Sequence, residues 1–349
     1  MEMTGLRDVG SLPTPRAAHT ATRLDNGTVL ITGGCVEDGC EPGDETATGL
    51  LYDPITARFG AAGRMNEPRN GGHSATLLPD GRVLLAGGWV GSRPTTTVEL
   101  YDPEKLRFVS ANPMREARAD HTATLLSSGK VLITGGYDGT NVLSSAELFD
   151  PVSGTFSATE SMTTPRAIHG AAHLPGGQVL ITGGMERDGF ILRTAEIYDA
   201  RTGRFEATNS LSVPRYKHLA IALSDRTVLV AGGSDWEENA NSGLYTSAEV
   251  FNPADGTFRA VGSMHEGRYK FYAAAAELPD GNLLIAGGGR FPEIYDPETG
   301  RFHLSKVDLL ADWSFLTATT LGDESVLLVG GYDEQVKMND QVWIYTAEP

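Results

Sequence analysis

Residues 117–156 read ARADHTATLLSSGKVLITGGYDGTNVLSSAELFDPVSGTF, and the pattern in this stretch recurs along the chain. At its centre, Val131-Leu132-Ile133-Thr134 runs into the pair Gly135-Gly136. A glycine pair after a β-branched or apolar run begins at Gly33, Gly87, Gly135, Gly183, Gly232, Gly287 and Gly330, at spacings of 54, 48, 48, 49, 55 and 43 residues. Repeats of this period stack or close into rings, because one unit cannot bury both of its faces alone.

Outward from the glycine pair, each repeat predicts four short strands. Strand a follows an arginine step such as Pro15-Arg16, and a turn with glycine at Gly27, Gly81, Gly129, Gly177 or Gly281 leads into strand b. The unbroken apolar character of strand b predicts burial on both faces. Strand c ends in Tyr52-Asp53-Pro54, Tyr101-Asp102-Pro103, Phe149-Asp150-Pro151 and relatives, and strand d opens with Phe59, Phe108, Phe156, Phe205, Phe258 or Phe302. An Asp-Pro step followed by glycine is hairpin chemistry. The last repeat stops after Trp343-Ile344-Tyr345, while Leu6–Leu12 has the spacing of a missing strand d, as between Phe59 and Met65. The N-terminal strand is therefore expected to close the last blade, residues 313–345, leaving no open blade face. The expected fold is all-β, one seven-bladed propeller of four-stranded antiparallel blades over residues 1–349.

The Pro-Arg-x-x-His step, the glycine pair and the Tyr-Asp-Pro turn resemble the kelch-repeat propeller family, in particular its bacterial single-domain type. The resemblance implies the fold strongly and the activity weakly, since such propellers host unrelated functions. Kelch propellers include substrate adaptors, a bacterial sialic-acid mutarotase, nitrile-specifier proteins and copper radical oxidases.

Composition narrows the function classes. With 45 acidic against 28 basic residues, the net charge of −17 repels phosphate backbones and argues against nucleic acid. No apolar run approaches the ~20 residues of a membrane-spanning helix, and Met1–Gly10 shows no signal-peptide pattern. These features predict a cytoplasmic protein. Cys35 and Cys40 pair only if their acidic loop doubles back, so they are expected to stay reduced.

Departures from the repeat point to the site. Arg16, Arg69, Arg118, Arg166, Arg215 and Arg268 open strand a in six blades, and Trp313, after Asp312, stands in the seventh. By resemblance to kelch adaptors these arginines would form a basic collar at one channel mouth. His19, His73, His121, His169 and His218 follow them, with Ala273 and Leu316 read as their counterparts in the last two blades. The favoured reading for these histidines is packing between blades, without a metal. Blades five to seven replace small residues with Tyr216-Lys217, with Glu266, Tyr269, Lys270 and Tyr272, and with Asp312-Trp313. Aromatic walls with a few directed polar groups suit a pocket. The titratable members of this arc are the candidate catalytic residues. Trp89, Tyr137, Trp236, Arg290 and Tyr332, in the loops after the glycine pairs, join the arginines and Trp313 as candidate ligand contacts.

Copper radical chemistry lacks an aligned Tyr-His pair here. The Glu-x-x-x-Asp-x-x-x-His iron pattern of nitrile-specifier proteins ends at Thr124 in place of histidine. The expected function is therefore binding of a polar or anionic small molecule near blades five to seven, with cofactor-independent isomerase, cyclase or lyase chemistry. The alternative is a module that grips an acidic peptide through the arginines.

Overall fold

A computed structural model describes residues 5–235, 243–322 and 325–347. The apolar strands Val29–Thr32, Val131–Thr134 and Val228–Ala231 are buried along their whole length. A strand buried on both faces lies between two further layers, and here those layers are the neighbouring blades. Seven four-stranded antiparallel sheets result. In blade three, strands a to d are Thr122–Leu125, Val131–Thr134, Ala146–Asp150 and Thr155–Ala158. The a strands of adjacent blades meet around the central channel. Strands c and d are tied by aromatic pairs such as Tyr101–Phe108 and Tyr295–Phe302, with ring centroids 4.9 and 4.8 Å apart.

Blade seven is Thr317–Thr320, Ser325–Val329 and Gln341–Thr346, completed by Leu6–Ser11. Leu6 faces Tyr345, Arg7 faces Ile344 and Asp8 faces Trp343. The N-terminal strand therefore closes the ring as expected. Leu12 lies just past the strand, buried, with its N–H on the Asp340 carbonyl.

The glycine pairs join the blades. The second glycine of each pair donates its N–H to the residue that opens strand a of the next blade: Gly88 to the Arg118 carbonyl at 2.8 Å, Gly136 to Arg166 at 2.9 Å, and so on to Gly331 and Arg16 at 2.9 Å. The first glycine must be bare. A Cβ on Gly135, where φ is +62°, would overlap the Arg166 carbonyl.

The same arginines reach back into their own blades. Arg118 Nη1 donates to the carbonyls of Gly135 at 2.8 Å and Ser145 at 3.0 Å, and Nη2 lies 3.1 Å from Glu147 Oε1. Arg69, Arg166 and Arg268 pair likewise with Glu99, Glu196 and Glu293. Arg16, Arg69, Arg118, Arg166, Arg215 and Arg268 are at most 1% exposed. The expected ligand collar is thus a set of internal clamps, because the buried carbonyls of the glycine pairs need donors that only these side chains supply. Blade one has no such glutamate, and burial lowers the Arg16 pKa to about 10. Blade seven replaces the charged pair with Trp313 and Trp343, whose rings lie 6.4 Å apart.

The histidines tie neighbouring blades. His19 Nε2 meets Thr317 Oγ1 at 3.0 Å, His121 meets Ser74 Oγ at 3.0 Å and His169 meets Thr122 Oγ1 at 2.9 Å. In blade six their place is taken by Phe271, whose ring lies against Gly232 as the His218 ring lies against Gly183. This corrects the assignment of Ala273 to that position.

Cys35 and Cys40 form a disulfide, contrary to expectation. Their loop does double back. Cys35 bridges both Ala17 and Glu45, and the Cys40 N–H closes a turn on the Glu37 carbonyl. Such bonds persist in oxidising compartments and are rare in the cytosol, so the cytoplasmic expectation gains no support from this loop. No helix among the described residues is long and apolar enough to cross a membrane.

Removing one partner of a buried ion pair strands the other charge, at a cost of about 3–5 kcal/mol. Glu147→Ala should therefore lower stability by about that much in chemical denaturation. Equal stability of Glu147→Ala and the surface variant Glu104→Ala would refute the clamp. The histidines make the ring acid-sensitive. Unfolded, they protonate near 6.5; folded, burial and nearby arginines hold His19, His73, His121 and His218 down to about 3. The unfolded chain binds more protons in that window, so stability falls as pH drops below about 6.5, by on the order of 1–2 kcal/mol per histidine near pH 5. His121→Gln should be less stable at neutral pH yet show a shallower loss of stability between about pH 7 and 5. An unchanged slope would overturn this account.

Candidate functional site

One column of residues lines the inner edge of the ring. It is the position between the clamp arginine and the histidine, held at positive φ in Ala18, Gly72, Asp120, Ile168, Lys217, Lys270 and Phe315. Backbone bonds link the column around the channel. The Asp120 N–H reaches the Gly72 carbonyl, Ile168 reaches Asp120, Lys217 reaches Ile168, Lys270 reaches Lys217 and Phe315 reaches Lys270, at 2.8–3.3 Å. Because the main chain of blades three to seven is pinned here in the same way, the side chains differ without disturbing the ring, and chemistry can change one blade at a time.

Asp120, Lys217 and Tyr272 line a channel cavity of about 160 Å³, walled by Ile168, His169, Gly170 and His218. Burial pushes the Asp120 carboxyl above its ordinary value, against the opposing pull of its 3.0 Å bond from Trp89 Nε1 and of nearby Lys217. Burial and then the charge of Lys270 lower the Lys217 amine to about 8, with Asp120 opposing. Lys270 is held differently. Its Nζ donates to Tyr332 Oη at 2.9 Å and sits 4.8 Å from the Tyr269 ring centre and 5.7 Å from that of Phe315. Burial alone would lower its pKa, but Tyr332 and Tyr269 outweigh it and hold the ammonium above the usual lysine value. Tyr272 is 45% exposed and lines the channel cavity, with protein packed closely around its hydroxyl. That enclosure, with Asp120 and Tyr332 adding to it, raises its hydroxyl above the usual tyrosine value.

The structure brings together Lys217, Tyr269, Lys270 and Tyr272 from the expected arc with Tyr332 from the expected ligand contacts. The other expected residues lie elsewhere. Tyr216 is buried beneath the column, its ring 5.3 Å from Lys217 Nζ. Glu266 stands 3.8 Å from Arg268, beside its own blade's clamp. Arg290 is exposed and paired with Asp308 at 2.7 Å, with half-buried Asp312 acting on it electrostatically. Trp313 donates Nε1–H to the Leu309 carbonyl at 2.8 Å and packs toward Trp343, so it builds the interior of blade seven. Trp89 and Tyr137, rings 5.9 Å apart, border a second cleft of about 550 Å³ over blades two to four, which shares Asp120 and Ile168 with the channel cavity. Trp236 lies outside the described residues.

Sequence reasoning missed Asp120 and Phe315. The signal was present, since both occupy the position two residues after the arginine or its tryptophan substitute, where Lys217 and Lys270 also sit. Among the described residues no three His, Cys, Asp or Glu side chains gather to hold a metal ion.

Comparison with known proteins gives the following. A family model described as "Kelch motif" matches residues 72–115 and 118–163. The mouse Kelch domain-containing protein 9 is 31% identical over 91 residues, and the human protein of that name is 35% identical over 92. Each match covers 26% of this chain and 25% of the relative, so the chain matches about a quarter of their length. A solved structure titled "Novel fungal alcohol oxidase with catalytic diversity among the AA5 family, in complex with copper" superposes with a TM-score of 0.76 at 15% identity, covering 97% of this chain and 75% of that one. Another, titled "Structure of YjhT", superposes with a TM-score of 0.63 at 13% identity, covering 97% of each chain. At these identities the two structures establish shared fold.

Proposed function

For a chain that carries kelch motifs and closes into a seven-bladed ring, we infer binding of a small anionic molecule at the channel mouth, with cofactor-independent proton transfer as its chemistry. The observation that carries this reading is the meeting of Lys217, Asp120 and Tyr272 at one cavity, with the charge of Lys270 felt at Lys217 from the next blade, in a protein whose net charge is −17. Two ammonium groups inside an acidic molecule concentrate positive potential where low-dielectric walls focus it. Lys270, steadied by Tyr332 and ringed by aromatic faces, suits the anchoring of a carboxylate or phosphate. Lys217, with an amine near 8, suits a general base at neutral pH. Asp120, whose carboxyl burial pushes above its ordinary value, is the group placed to act as the matching acid. Isomerisation, cyclisation and elimination all need such a pair and no redox group.

The peptide reading loses its donors. Six buried guanidiniums would have to leave carbonyls and carboxylates inside the blades before meeting a ligand.

A thermal-shift screen of short carboxylates, sugar acids and sugar phosphates tests the binding. A ligand at about 100 times its Kd adds about 2.7 kcal/mol to the folded state, enough to raise the midpoint measurably. Lys270→Met, which keeps the packing among the rings, should remove most of that rise while the circular-dichroism spectrum stays that of the parent. A screen in which no anion raises the midpoint, or a Lys270→Met protein that responds like the parent, would sink the reading.

A further inference from the structure

Lys217 differs from the other charged groups at the mouth. Lys270 has a hydroxyl partner and an aromatic enclosure, and Asp120 accepts from Trp89. Lys217 has neither. Its Nζ sits 5.3 Å from the Tyr216 ring centre and lines the cavity, and no hydrogen bond or ion pair holds it among the described residues. The cavity holds about five water volumes, the scale of a short-chain acid, and Gly170 forms part of its wall. A side chain at Gly170 would run into Ala220, His218 and Thr182, so the packing of the blades keeps that position bare.

We propose that Lys217 is a covalent nucleophile toward a small 2-oxo acid, forming a protonated Schiff base whose carboxylate rests on Lys270 and Tyr332. The proposal rests on the anion-binding reading above and adds a bond to it. The neutral Lys217 amine adds to the ketone carbon, and its proton moves to the former carbonyl oxygen. Asp120 then gives its proton to that hydroxyl, which leaves as water. The nitrogen lone pair forms the C=N bond, leaving a cationic imine beside an Asp120 carboxylate. No oxidant, reductant or metal enters the step. A lysine kept partly neutral by burial and a second cation is the ordinary means of activating such an amine. The groups that face it are Asp120 from blade three, His169 from blade four, Lys270 and Tyr272 from blade six, and Tyr216 and His218 from its own blade.

The test is reductive trapping of the intact protein with pyruvate and cyanoborohydride, followed by peptide mapping. Lys217 should be modified about tenfold or more faster than the ion-paired surface lysines Lys105 and Lys130. Lys217→Arg should lose that modification, and Asp120→Asn should slow it. Lys270→Met leaves the nucleophile in place and guards against a Lys217→Arg protein that fails to fold. It should slow trapping of pyruvate severalfold more than that of glycolaldehyde, which has no carboxylate and loses only the part of the amine's activation that the Lys270 charge supplies. Modification spread evenly over Lys105, Lys130 and Lys217 would overturn the proposal. If pyruvate still raises the melting midpoint in that case, anion binding stands and only the covalent step falls. If pyruvate neither stabilises nor labels the protein, the covalent step falls and anion binding is left to the wider screen.

Discussion

The ring depends on one contact made at every blade boundary: a glycine N–H meeting the carbonyl of the residue that opens the next blade. The contact is short because the preceding glycine has no side chain to hold the neighbour away. Six of the seven opening residues are arginines that also reach back to a glycine carbonyl of their own blade. Each arginine thus serves two blades through different atoms. Its carbonyl accepts from the blade before it, and its guanidinium cross-links strands b and c of its own. Such buried charges are tolerable because carbonyls and glutamates satisfy them, and the geometry is specific because a guanidinium is a planar fork of donors.

The candidate site is a by-product of that clamp. Two or three residues after each arginine the chain turns through positive φ, and along blades three to seven its N–H sits on the neighbouring column residue. The turn sets main-chain position and leaves side-chain identity unconstrained by packing. Alanine, glycine and isoleucine at this position keep the channel plain in three blades. Aspartate in blade three, lysine in blades five and six and phenylalanine in blade seven make it chemical. Their mutual effects on protonation follow from sharing one enclosed space with little water to screen them.

Legibility varied from residue to residue. Lys217, Lys270 and Tyr272 stood out because they interrupt runs of small residues. Asp120 did not, since one acid in a strongly acidic chain carries no contrast. The arginines were read as a collar because their recurrence is visible and their direction is not: a guanidinium before a strand can enter the channel or fold back into the blade. Trp313 was misplaced for the same reason, and its partner Trp343, thirty residues away, is what keeps it inside. The cysteines were read through an expected compartment, whereas the turn at Glu37–Cys40 and the strand-like pairing of Cys35 bring them together.

From the sequence alone came the repeat, its four strands, the number of blades and the N-terminal closure. These follow from periodicity, burial pattern and turn chemistry, which are properties of neighbours along the chain. Tertiary structure alone decided which way each conserved-looking side chain of the repeat points, which residues of separate blades face one another across the channel, and that Lys217 and Asp120, nearly a hundred residues apart, border the same cavity. Such facts depend on closing the circle, because only closure brings the inner edges of distant blades to a common axis.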